Sequence, residues 1–191
     1  MGKIYVIALA LCSIILTISV VESIDESPEA VEKWFKKLGH KKERVTKLHF
    51  FLHEKSGGSN QTAYQVAQSN ITLTSPTFFG QVSMIDDILR EGSAPDSQVL
   101  GRAQGLTGLS SLEEASLIMT MNFVFTTGKY NGSTLSVLGR NPFSKKYREM
   151  AIIGGSGVFR LARGIITTQT SLFNPTSGDV ISEYNVVVIH Y

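Results

Sequence analysis

From Val45 to the end of the chain, apolar and polar residues alternate with a period of two, the signature of half-buried strands. Thr46–His53 is aromatic and β-branched, and Ser56-Gly57-Gly58-Ser59 breaks it. Thr62–Gln68, Phe79–Asp86 and Val99–Gly105 read as further strands, followed by the long alternating run Leu117–Thr126. Ser133–Leu138, Ala151–Ile153, Val158–Gln169 and Val180–His190 complete the set. Between them, Asn131-Gly132 predicts a two-residue hairpin turn with positive φ at both residues. Gly154-Gly155-Ser156-Gly157 predicts a tight turn or a bulge. Short strands, frequent turn signals and no long helical period predict an all-β domain, a closed antiparallel barrel or a sandwich. The 17 glycines suit barrel corners and bulges.

Ahead of the strands the period is different. In Asp25–Arg44, Ala30, Val31, Trp34, Phe35 and Leu38 recur at helical spacing, with Ser27 placed to cap and Pro28 at the first helical position. This predicts a short amphipathic helix or a loosely attached arm over residues 24–44. The basic cluster Lys36–Arg44 is a candidate for anionic wall polymers, a solvated linker being the plainer reading. Earlier still, Lys3, the apolar run Ile4–Val21 and Val21-Glu22-Ser23 have the order of a secretory signal peptide, with the mature chain starting near Ile24. A membrane anchor is the rival reading, but a span of about 18 residues is borderline and no basic stop-transfer cluster follows. The expected organisation is therefore a signal peptide over 1–23, an arm over 24–44 and a β-domain over 45–191.

The net charge of +2 survives loss of Lys3 and Glu22 with the leader, and it is too small to imply nucleic acid. The single cysteine, Cys12, would leave with the leader, so the mature domain is expected to stand on burial alone. About 168 residues suffice for one full-sized core. Three N-x-[ST] triplets, at Asn60, Asn70 and Asn131, become candidate glycan sites in a secreted chain, Asn131 foremost at its hairpin tip.

Metal chemistry finds little support. His49 and His53 would lie on one strand face about 13 Å apart, too far for one ion, and no metal motif accompanies them. Ser156 lacks the G-x-S-x-G frame of a hydrolase, and the glycine cluster lacks a P-loop lysine. The charged residues in or beside strands are more informative: Glu54, Asp86-Asp87, Arg102, Arg148, Arg160 and Arg163. Either they point outward or form structural ion pairs, such as Asp86 with Arg163, or they line a pocket for an aromatic, hydroxylated ligand.

Several ordered motifs decide the family resemblance. They are Leu48–Glu54, Phe79-Gly80 through Ile85-Asp86-Asp87, Leu100–Gly105, Tyr130–Thr134, Arg148-Glu149-Met150, Ile153–Gly157, Ala162-Arg163-Gly164, Glu183-Tyr184-Asn185 and His190-Tyr191. From about Val45 to Tyr191 the chain resembles a plant dirigent protein. The resemblance implies an eight-stranded antiparallel β-barrel of the dirigent and allene-oxide-cyclase kind, usually a homotrimer, secreted to the apoplast. It also implies a phenolic quinone methide or radical as ligand and no cofactor. Two activities share this fold: lignan-type members steer coupling of monolignol radicals made by a separate oxidase, whereas pterocarpan synthases dehydrate an isoflavanol and close a ring. The chain reads His53-Glu54 where many members read His-Asp. It reads Gly139-Arg140-Asn141 where lignan-type members read G-A-D, and it keeps Arg148 seven residues later. Its Arg148-Glu149-Met150, Gly154–Gly157 and Arg160–Gly164 segments look more like the group containing the pterocarpan synthases. The expected catalytic residues are then Glu54 or Asp86 as acid and Arg148 as charge stabiliser, with Arg163, Gln104, Phe50 and Phe159 as candidate substrate contacts.

Overall fold

The computed structural model describes residues 24–191; the expected leader, with Cys12, lies outside the described residues. One antiparallel sheet closes on itself. Its strands are β1 (Arg44–Glu54), β2 (Ala63–Ala67), β3 (Val82–Arg90), β4 (Val99–Leu109), β5 (Leu117–Phe125), β6 (Thr134–Asn141), β7 (Arg148–Ser156), β8 (Arg163–Phe173) and β9 (Val180–His190). They run in the order β1-β9-β8-β7-β6-β5-β4-β3-β2, and β1 also pairs with β3. Eight strands, β1 and β3 to β9, thus form a closed barrel, and β2 is a short hairpin partner added to β3. The closing seam is brief. β1 follows β9 along its whole length, but it meets β3 only where Phe51, Leu52 and His53 oppose Arg90, Leu89 and Ile88. Past His53 the two strands separate, and β2 takes over the first half of β3, pairing Ala63 with Ile85.

Inward positions alternate as a barrel requires. Phe50, Leu52, Leu89, Phe123, Leu135, Val137, Met150, Ile166, Tyr184 and Val186 form the core. Aromatic rings concentrate in one half: Phe50 stacks on Tyr184 at 5.8 Å, and Phe123 meets Phe50 edge-on at 5.1 Å. Phe125 and Phe159 extend this plug at 5.8 Å from one another. Neighbouring strands approach so closely that a Cβ at Gly101 would overlap the Val124 carbonyl oxygen, and one at Gly164 the Val187 carbonyl oxygen. Only glycine tolerates that approach.

Several local expectations are revised. β3 does not end at Asp86 but runs to Arg90, carrying both aspartates in mid-strand. Ala151–Ile153 is the middle of β7, whose Gly154 and Gly155 pair with Ser136 and Leu135. The expected irregularity is there as a bulge, where Ile153 has no partner between Ser136 and Val137. Gly157 at φ +61° then opens a 3-10 turn, Gly157–Phe159, so β8 starts at Arg163 rather than Val158. Asn131 has φ −49° and ψ 133° with Gly132 at φ +79°, a type II turn with one positive φ rather than two. The reason is loop length. Asn131-Gly132 sits inside the longer connection Thr126–Ser133 and does not join β5 to β6 directly.

The arm folds as α1 (Pro28–Lys36), with the Ser27 hydroxyl oxygen accepting a hydrogen bond from the Ala30 amide at 3.2 Å. None of its residues is buried. It is held at the plugged end of the barrel, where Arg160 Nη2 donates to the Asp25 carbonyl at 2.8 Å.

Candidate functional site

Opposite the aromatic plug, the barrel opens into a cavity of about 440 Å³. Its mouth is ringed by the last residues of β1, β4, β6 and β8 and the first of β5, β7 and β9. Its walls are apolar, built from Leu52, Leu117, Met119, Phe143, Phe173 and Val180. Against them stand a few converging polar groups: Glu54, Asp87, Arg148, Asn141, Thr107, Thr170, Ser182 and Tyr184. Such a mix suits a flat, aromatic, hydroxylated molecule.

The two carboxyls meet at the seam. One residue beyond the last β1–β3 pair, His53 with Ile88, stand Glu54 and Asp87, and both line the cavity. Asp87 is fully buried. Its Oδ1 accepts the Thr62 hydroxyl at 2.5 Å, while Oδ2 has no hydrogen-bond partner among the described residues. Burial, then the adjacent Glu54 charge, push the Asp87 carboxyl up to about 8. At neutral pH Asp87 is therefore a carboxylic acid able to give a proton. Glu54 is also raised, mainly by burial, although the Ser56 hydroxyl donates to its Oε1 at 3.1 Å and opposes the shift.

Across the cavity, Arg148 is buried at the start of β7. Its donors meet only neutral oxygens: Nε to Asn141 Oδ1 at 3.0 Å, Nη2 to Thr170 Oγ1 at 3.1 Å, and Nη1 to the Lys145 and Lys146 carbonyls at 3.3 and 3.4 Å. No carboxylate pairs with it among the described residues. Burial pulls its pKa down, and its uncompensated charge faces the cavity, where an anionic oxygen would meet it. Asn141 is itself fixed by a contact from Nδ2 to Met119 Sδ at 3.1 Å. Tyr184 forms the floor, with a hydroxyl whose pKa is raised chiefly by burial.

The residues singled out from sequence separate accordingly. Glu54 and Arg148 line the cavity together. Asp86 does not: it is the outward member of its doublet and pairs with Arg102, whose Nη2 also reaches the Asp86 carbonyl. The inward carboxyl is Asp87, because strand alternation puts Ile85, Asp87 and Leu89 on one face. Gln104, at the register position opposite Asp86, shares the outer face. Arg163 is outward too, 2.8 Å from Glu43, so the ion pair considered between Asp86 and Arg163 is replaced by two separate ones. Phe50 and Phe159 belong to the aromatic plug rather than the cavity wall. His49 and His53 point outward, His49 to Glu183 at 2.7 Å and His53 to the Gly92 carbonyl at 3.1 Å. Of the glycan candidates, Asn60 and Asn70 are exposed and Asn131 is half-buried in its turn. Sequence reasoning named the Asp86-Asp87 doublet but chose Asp86 as the acid, and it passed over Tyr184, Thr170 and Ser182 as site residues. For the last three, shared parity with Ile166, Val186 and Val188 was the available signal.

The geometry defines a class: a small closed β-barrel enclosing an apolar cavity with a protonated acid on one wall and an unneutralised arginine on another. The family model for dirigent-like proteins matches residues 45–189. Dirigent protein 23 of Arabidopsis thaliana is 48% identical over 149 residues, covering 78% of this chain and 80% of the relative. Pterocarpan synthase 1 of Glycine max is 44% identical, covering 81% and 83%. A solved pterocarpan synthase dirigent protein superimposes with a TM-score of 0.73 at 41% identity, covering 79% of this chain and 87% of that one. The chain belongs to the dirigent family.

Proposed function

We propose that the cavity dehydrates an isoflavanol and closes its ring to a pterocarpan, the product for which two of the relatives are named. The observation carrying this reading is the cavity-facing Asp87 carboxyl, kept protonated by burial opposite Glu54, with Arg148 across from it. A template for oxidase-made radicals has no need of an acid. A dehydratase does. Asp87 gives its proton to the C4 hydroxyl as the C–O bond breaks and water leaves. The conjugated phenol passes its own proton to Glu54 and becomes the carbonyl of a quinone methide. Arg148 holds the charge developing on that oxygen. The 2′-hydroxyl then attacks C4, forming the new C–O bond. Its proton returns to Asp87, and Glu54 restores the phenol. Atoms and protons balance with loss of one water, and no oxidant enters. Holding the 2′-hydroxyl over one face of C4 sets the handedness and removes much of the entropic cost of closure.

Secretion through the leader fits this reading. So does a homotrimer resting on the apolar outer stripe in which Leu138 faces Ala151, Ala151 faces Ile165 and Ile165 faces Val187. The test is oxidant dependence. Purified protein is given a 2′-hydroxylated isoflavanol with oxidants excluded, and separately coniferyl alcohol with laccase. Consumption of the isoflavanol to one enantiomer supports the dehydratase. An inert isoflavanol with skewed handedness in the coniferyl dimers would replace it with a coupling template fed by an upstream oxidase.

A further inference from the structure

A second concavity, of about 620 Å³, lies at the plugged end of the barrel, between α1 and the β7–β8 turn. Lys33 and Lys37 stand about one helical turn apart on its wall, about 6 Å along the axis. Lys41 and Arg160 close it from the other side. Trp34, the chain's single tryptophan, lies among them, with Lys41 Nζ 5.0 Å and the Arg160 guanidinium 5.8 Å from its ring centroid. Nearby, Lys36 pairs with Glu32 and Arg163 with Glu43. Lys33, Lys37, Lys41 and Arg160 take part in no ion pair among the described residues. Two acidic residues, Asp25 and Glu29, share the groove, which leaves four cations against two anions.

We propose that this groove binds an acidic polysaccharide, a polyuronate. A half-exposed indole offers a flat apolar face to the C–H face of a sugar ring. Cations flanking the indole meet one carboxylate per ring. The net excess of charge is too modest for the phosphate density of a nucleic acid, and Asp25 and Glu29 oppose more densely charged polymers. The groove opens at the end of the barrel away from the phenolic cavity, so both can be occupied at once. Barrel and arm are joined by the Arg160 hydrogen bond to Asp25, which keeps the two halves of the groove in register. The site thus anchors the protein in an acidic carbohydrate matrix while its cavity stays open to small molecules.

Affinity electrophoresis of the full chain through gels containing polygalacturonate tests this, with the methyl-esterified polymer and polyphosphate as comparisons. Retention by polygalacturonate, its loss on esterification, and weakening by roughly twofold to thirtyfold in the Lys33→Ala, Lys37→Ala double variant are expected, from the strength of two exposed ion pairs. Trp34→Ala should weaken retention without changing its salt dependence. Circular dichroism and the fluorescence response to a phenolic ligand should be unaltered in the double variant. Equal retention by esterified polymer, stronger retention by polyphosphate, or a folded double variant that binds like the parent overturns the proposal.

Discussion

Replacing Asp87 by asparagine should make the protein more stable at neutral pH and leave it little changed in acid. Asparagine keeps the volume and can still accept the Thr62 hydroxyl, but it cannot ionise. In the folded state Asp87 titrates near 8, against a reference of 3.8. A carboxyl raised on folding contributes stability that is fully present below about pH 4 and is lost as the pH climbs toward 8, because the unfolded chain gives up its proton first. Between the reference value and pH 7 lie about three pH units, each worth 1.36 kcal/mol, so wild type loses on the order of 4 kcal/mol relative to Asp87→Asn. Urea unfolding of both proteins at pH 4 and pH 7, at one protein concentration, gives the double difference in which titrating groups that do not interact with Asp87 cancel. With a slope of about 2 kcal/mol/M, the midpoint of the variant should gain roughly 2 M over wild type between the two pH values. A difference that does not change with pH would mean that Asp87 ionises freely, and the argument for it as an acid would fail.

Other substitutions probe the same cavity. Glu54→Gln should retain the fold by circular dichroism but reduce isoflavanol turnover by about 10²-fold or more, since its carboxylate receives the phenol proton. Arg148→Ala should lower kcat by about 10²-fold with a smaller change in KM, as for a group that acts on developing charge. A change in KM alone would make it a positioning residue. Asn141→Asp places a carboxylate where the 3.0 Å bond to Arg148 Nε now lies, so partial neutralisation of the guanidinium should slow turnover about tenfold in steady-state assays.

Much of the barrel is legible in the chain because strand alternation and glycine punctuation are local signals. Thr46–His53, Leu117–Thr126 and Val180–His190 lie within a residue of β1, β5 and β9 or wholly inside them. The site is less legible because facing depends on parity, and parity depends on long-range pairing. Met84 and Ile88 are as apolar as Ile85 and Leu89, so nothing local says that Asp87, rather than Asp86, shares the inner face. The β1–β3 seam and the β4 register decide it. Tyr184 was overlooked although its parity was local, since Glu183 and Asn185 flank it and Val186 and Val188 share its face. Arg148 came from the dirigent resemblance, in which an arginine is kept seven residues after Asn141. Of its partners, Asn141 was also in view, but the two loop carbonyls and Thr170 of β8 were not. Phe50 and Phe159 were sensible candidates for an aromatic ligand, but they pack on one another's neighbours and fill the plug instead.

Everything proposed for the cavity rests on an oxidant-free dehydration driven by a protonated Asp87. It is tested most directly by chiral chromatography of a 2′-hydroxylated isoflavanol incubated anaerobically with wild type and with Asp87→Asn. Wild type is expected to give one enantiomer of the ring-closed product, and the folded variant turnover at least about 10²-fold lower. Wild-type turnover by Asp87→Asn, or no product from either protein until an oxidase is added, would contradict it.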